Sequence, residues 1–358
     1  MNVRSGSRIN SFLTRRIAAY DEAQAQVDEV GKDAGPFRLG SLFEDPAGAP
    51  GEPGQEEATR VRKAAEQVLG NADSFYMAGS RRTVVDVSGG EGKFLSLVSD
   101  GTANDVARFS YFPARGTAGK PAVVILHHWN AELGNYNSFA RIFSRLGLSA
   151  VVMTLPHHGP RGNGSPVANR FLNADVSNSV RSVMQAVLDV QIIVDWLKAS
   201  EVRQVGVLGV SLGSCVAALA AAFNPEIRSA ALLLTAGDYA SVVWSGRATR
   251  HIRKAMDGHI SLQNLRLLWS VISPSSFVDR FAASSLKMLI LSGMYDQIVL
   301  PDLACEFVEQ LKRTQVSVKY LRLHCGHYSL GLPPFSVLGL VHSFAFLKTT
   351  LNTTMSAS

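Results

Sequence analysis

The chain has 358 residues, 46% hydrophobic and 18% charged, with a formal charge of +6. That describes a soluble, well-cored protein of one large domain with extensions, or two ordinary domains. The modest positive balance does not amount to a nucleic-acid signature, and three cysteines at wide spacing exclude a disulfide framework and a zinc ribbon.

The first twenty residues carry positive charge without an apolar core, so they are not a secretory signal. Their Arg-rich, acid-free composition also fits an organelle transit peptide, but an amphipathic helix over Ser11 to Val30 is the expected form. Gly35 to Gly54 holds nine Gly or Pro residues in twenty and reads as a linker. Glu56 to Leu69 is again helical in pattern. Residues 1–82 thus form a helical extension, expected to pack on the main domain or on a partner subunit, which allows a homodimer. The widely spaced free thiols of Cys215, Cys305 and Cys325 point to a reducing, cytoplasmic setting.

From residue 83 to about 350 the pattern changes. Phe94–Val98 and Val106–Phe112 read as two strands joined by a turn. Strands and helices then alternate: strand 122–126, helix 136–146, strand 150–155, helix 180–197, strand 205–208, a helix to 223 and strand 230–234. After about fifty residues come strand 287–291, helix 303–311, strand 316–323 and helix 335–347, with a tail at 351–358. Continuous apolar strands between amphipathic helices imply an α/β fold, a mostly parallel sheet covered on both faces. The uncharged run Val205–Phe223 is long enough to raise a membrane question, but its glycines and serines read as strand, turn and buried helix. No transmembrane segment and no nucleic-acid partner are expected. The basic residues Arg247, Arg250, His251, Arg253 and Lys254 read as a solvated helix face, or as a docking patch for an anionic substrate or membrane.

Ligands in such sheets bind beyond the carboxyl ends of the strands. Directly after the strand 205–208 stands Gly209-Val210-Ser211-Leu212-Gly213, a G-x-S-x-G turn. Glycines two residues either side let strand and helix approach, leaving the serine strained and its hydroxyl exposed. The following helix start directs N–H groups at any negative charge that forms there. A serine needs a base, usually a histidine oriented by a carboxylate. Asp296 follows the strand 287–291, and His327 follows the last strand, with His324 less well placed. Asp302, beside Pro301, reads as a helix-start acid.

With those residues quoted, the region 83–350 resembles the α/β-hydrolases, in the branch of dienelactone hydrolases, acetyl esterases and prolyl-oligopeptidase-like enzymes. The resemblance rests on GVSLG, GMYDQIVLP, GHYS and AVVILHHWN. It implies Ser211 as nucleophile, Asp296 as orienting acid and His327 as base. It also implies an oxyanion hole from the backbone N–H of Leu212 with that of Trp129 or His128. The family usually has His-Gly where this chain has His127-His128, which restricts the backbone there. A side-chain contribution from Asn130 is a further expectation. The insert 238–285 is expected to form a helical cap, with Trp244 and Trp269 among its apolar residues, over a hydrophobic acyl or aryl pocket. His158 and Arg161 are expected to contact substrate, Arg161 through a carboxylate or phosphate.

The expected function is a serine hydrolase acting on a small-molecule ester or thioester, with no metal or organic cofactor. Rival expectations are C–C bond hydrolysis or acyl transfer by the same three residues, a catalytically silent scaffold, and a metal-dependent hydrolase. The last would be built on His127, His128, His157 and His158. Adjacent residues of an extended chain face opposite sides, so each pair offers at most one ligand.

Overall fold

The computed structural model describes residues 4–43, 55–77, 83–116, 119–165 and 167–352. The linker is therefore described only as far as Phe43, and the tail after Asn352 lies outside the described residues.

Nine strands among the described residues form one sheet. They are β1 (Asp86–Ser88), β2 (Glu91–Leu95), β3 (Val106–Phe112), β4 (Ala122–Leu126), β5 (Ser149–Thr154), β6 (Val205–Val210), β7 (Ile227–Leu233), β8 (Lys287–Gly293) and β9 (Ser317–Leu323). Their spatial order is β1-β2-β3-β5-β4-β6-β7-β8-β9. Pairings from β1 to β3 and on to β5 are antiparallel, and the remaining ones are parallel. Every residue of β4 and β5 is buried, as continuous apolar strands require when both faces are covered.

The antiparallel edge departs from expectation. The strand expected at 94–98 lies at Glu91–Leu95 and is preceded by the unforeseen β1. Gly89 and Gly90, both at positive φ, make the two-residue hairpin between them. Residues 96–105 are drawn into a loop by the Asp105 carboxylate, which accepts the N–H groups of Asp100 and Gly101.

The helices are α1 (Arg4–Asp28), α2 (Gln55–Gly70), α3 (Ala72–Tyr76), α4 (Leu133–Arg145), α5 (Val176–Ala199), α6 (Leu212–Phe223), α7 (Tyr239–Ser245), α8 (Arg250–Met256), α9 (Leu262–Leu268), α10 (Val278–Ala283), α11 (Pro301–Arg313) and α12 (Phe335–Asn352). No described helix is long and apolar enough to cross a membrane. Two apolar clusters separate the sheet faces. The larger joins α2, α5, α6 and the insert helices α7–α10, and the smaller packs α4 and α12 against Ile125, Leu208 and Leu233.

Helix α1 docks on the loops that leave β8 and β9. The buried Asp21 carboxylate accepts the N–H groups of Tyr328 (2.6 Å) and Ser329 (3.2 Å) and the Ser329 hydroxyl (2.6 Å). It occupies the space where a Cβ on Gly326 would stand, so residue 326 has to lack a side chain. Thr14 donates to Tyr295 Oη, Tyr328 donates to Asp28, and Arg247 pairs with Glu22. Removing one acceptor strands several buried donors. Asp21→Ala is expected to cost about 1–3 kcal/mol in urea unfolding, and a change within about 0.5 kcal/mol would show that α1 contributes little to this loop.

Candidate active site

Ser211 stands between β6 and α6 at φ 51° and ψ −117°, a conformation that costs a residue with a side chain about 1–3 kcal/mol. The cause is the closeness of the helix to the sheet. A Cβ on Gly209 would strike the backbone of Gly213 and Ser214, and one on Gly213 would strike the carbonyls of Leu126 and His127. The Ser211 N–H donates to the Leu233 carbonyl at 2.8 Å, which pins the turn to β7. Leu212, first in α6, has an N–H with no acceptor among the described residues, as a helix start leaves it.

Asp296 follows β8 and is buried. Its Oδ1 accepts the N–H groups of Ile298 (2.8 Å) and Val299 (2.9 Å), and its Oδ2 lies 2.8 Å from His327 Nδ1. The carboxylate therefore holds the proton on Nδ1 and leaves Nε2 as the basic nitrogen. His327 and Ser211 line the same cavity of about 590 Å³, without a direct hydrogen bond between them. His324 lies instead near Tyr295 Oη at 3.4 Å, and Asp302 sits in the first turn of α11.

The two histidine pairs part ways. His127 is fully buried: Nδ1 donates to the His128 carbonyl at 2.7 Å and Nε2 accepts the Leu155 N–H at 3.0 Å. It ties the end of β4 to the end of β5. His128 borders the cavity and is open to solvent there, with Nδ1 2.6 Å from Tyr136 Oη. The His128 N–H donates to the same Tyr136 oxygen at 3.2 Å, whereas the Trp129 N–H has no acceptor among the described residues. His157 is buried at φ 61°, with its N–H bonded to Asn104 Oδ1, and His158 is buried with its ring edge-on to His127. Among the described residues, no group of three or more His, Cys, Asp or Glu side chains is placed to hold a metal ion.

Several expected substrate contacts lie elsewhere. Arg161 is fully buried, 2.9 Å from Asp189, and donates to the carbonyls of Asn104 and Thr154. It holds loops together and cannot reach a ligand. His158 packs between His127 and Phe171, away from the cavity. Trp269 is entirely buried, its Nε1–H on the Val176 carbonyl, and Trp244 packs on the core beside Arg253. Of the described insert residues, Ala248 alone reaches the cavity wall, which is built mainly by α4, α12 and the strand ends. Trp129 and Asn130 do line it. The Asn130 Oδ1 is committed to the Ala168 N–H at 2.8 Å, and Lys32 lies 4.2 Å over the Trp129 ring. Asp28, Tyr136 and Tyr328 also border the cavity and were not foreseen.

No protein-family model matches the chain. Over 162 residues it is 32% identical to an uncharacterized protein of Mycobacterium tuberculosis, in strains H37Rv and CDC 1551. The match covers 45% of this chain and 38% of that protein, so the chain spans well under half the length of the curated relatives it matches. Among solved structures it is similar to acetyl xylan esterase 1 of Thermoanaerobacterium, at TM-score 0.58 and 16% identity over 82% of this chain and 98% of that one. It is also similar to the Pyrococcus horikoshii acylaminoacyl peptidase (TM-score 0.58, 12% identity, 78% and 43% of the two chains). A puromycin-hydrolyzing peptidase of M. tuberculosis superimposes at TM-score 0.55 and 16% identity, over 76% and 40%. These likenesses concern the fold, and that fold is the α/β-hydrolase fold.

Burial lowers His127 and His157 from the ordinary 6.5 to about 4, with Arg161 adding to both. In the unfolded chain they would protonate near 6.5, so between about pH 6.5 and 4 the unfolded state binds more protons. Stability is full above that window and is lost as pH falls through it. The slope is up to about 1.4 kcal/mol per pH unit for each histidine. Urea unfolding at pH 7.5, 5.5 and 4.5 is expected to show this decline; a flat profile would mean both rings accept protons in the folded state.

Proposed function

We propose that the protein is a serine hydrolase that cleaves a carboxylic ester or thioester through an acyl-enzyme on Ser211. The observation that carries this reading is the conjunction of a strained serine at the start of α6 and a carboxylate-oriented histidine on one cavity. Ser211 Oγ attacks the acyl carbon while His327 Nε2 takes its proton. The imidazolium formed is stabilised by Asp296, whose second oxygen is anchored by two backbone N–H groups and keeps its aim. The oxyanion is received by the N–H of Leu212 and, because Tyr136 already occupies that of His128, by the N–H of Trp129. His327 returns its proton to the leaving oxygen or sulfur. Water, activated by the same nitrogen, then releases the acid.

An ester or thioester is favoured over a peptide by the site's surroundings. The cavity is concave and its wall is mostly apolar by area, with Ile125, Phe143, Leu208, Leu233 and Leu340 beside polar groups such as Asp28, Asn135 and Ser138, which suits an acyl compound. The similar solved structures include an acetyl xylan esterase and two peptidases, so their likeness supports a hydrolase of either kind.

A fluorophosphonate probe tests the nucleophile. Wild-type protein is expected to label and Ser211→Ala not at all. His327→Ala is expected to label at least about a hundredfold more slowly, the loss typical of a missing general base. Wild-type protein that stays unlabelled, or equal labelling of Ser211→Ala, would remove the serine mechanism.

A further inference from the structure

The cavity does not stop at Ser211. It continues below the strand ends into the smaller apolar cluster, between the sheet and helices α4 and α12. Its inner walls are Ile125, Leu208 and Leu233 from the strands and Phe143 from α4, all buried. Along α12 it is bordered by Ser336, Gly339, Leu340 and Ser343. Those four positions mark two helical turns on one face. The space thus follows α12 inward from the Leu330–Ser336 side, where His327 and Tyr328 also border it.

Gly339 is the informative residue. It is buried in the interior of α12, where glycine is the least favourable residue after proline. Its backbone does not have a positive φ. Nor does close packing require it: a Cβ there would meet Leu233 and Leu330 only at 3.6 Å, an ordinary contact. Neither the backbone nor a clash explains the glycine. What its missing side chain does is leave the channel beside α12 open. One turn further in, Ser343 is fully buried and its hydroxyl has no partner, which marks the inner end of the apolar stretch.

We propose that this part of the cavity takes the alkyl chain of an acyl group whose carbonyl lies at Ser211. The proposal rests on the ester-cleaving reading above and names its substrate class. From Ser336 to Ser343 is about 10 Å along the helix, a length that borders several methylenes. Ile125, Phe143, Leu208, Leu233 and Leu340 on those walls offer each added methylene apolar contact in place of water.

Two measurements test it together. The first is kcat/KM for p-nitrophenyl acetate and octanoate with wild type, Gly339→Ala and Gly339→Leu. The second is calorimetric binding of octanoate and acetate to Ser211→Ala and to Ser211→Ala/Gly339→Leu, with circular dichroism melts confirming that each variant folds. The expected octanoate-to-acetate ratio of kcat/KM in wild type is at least about 10. It should fall stepwise through Gly339→Ala to Gly339→Leu, by at least tenfold overall. Octanoate should bind Ser211→Ala, and the Gly339→Leu change should weaken it at least tenfold. Gly339→Ala meets only ordinary contacts, so it keeps the test open if the leucine variant fails to fold. If octanoate binds no better than acetate, or binds as well after Gly339→Leu, the channel is not an acyl site, even with Ser211 labelled by the fluorophosphonate. If octanoate binding follows residue 339 while Ser211 resists the probe, the channel stands and the serine mechanism falls.

Discussion

Helix α6 begins within backbone contact of the ends of β4 and β6, and glycines at 209 and 213 are what permit it. The nucleophile side of the site follows from that closeness. It forces Ser211 into its positive φ and lifts its side chain off the strand. It leaves the first N–H of α6 without an intrahelical partner at the point where an oxyanion would form. It also sets the helix start beside the loop after β4, so that His128 and Trp129 border the same space. A side chain at either glycine would push the helix out and separate these groups.

His327, the base of the proposed mechanism, is held by a second, more distant constraint. His327 lies on a short loop after β9, with Asp296 on one side and the N-terminal helix α1 on the other. Asp296 orients the ring. Asp21 gathers the N–H groups of the two residues that follow it, and takes the place of a side chain at Gly326. The extension is thus part of the wall that keeps the histidine loop in place, and Asp28 from the same helix reaches the cavity rim.

The gathering of Ser211, Asp296 and His327 at one sheet edge was legible because each follows an apolar strand directly, so a local pattern predicts the placement. The strands 122–126 and 287–291 and the parallel order around them were legible for the same reason. The contacts that were missed are long-range. Nothing near Arg161 reveals that its partner is Asp189 on α5, so a basic residue beside a presumed site read as a ligand contact. Trp244 and Trp269 belong to an insert whose helices pack into the main core instead of roofing the cavity. Asp21 lies more than 300 residues from its partners, and no spacing rule spans that distance. The channel depends on an absence, the side chain missing at Gly339, which a sequence pattern shows only as a flaw in a helix. The four histidines end in different places. His127 ties two strands, His128 faces the cavity, and His157 and His158 are buried beside them.

The central claim is that an acyl group becomes bonded to Ser211. Turnover of p-nitrophenyl octanoate quenched in acid, followed by peptide mass mapping, tests it most directly. An octanoyl addition is expected on the peptide holding Ser211, absent from the Ser211→Ala protein, which should not turn over. An addition on a different residue, or turnover by Ser211→Ala at the wild-type rate, would contradict it.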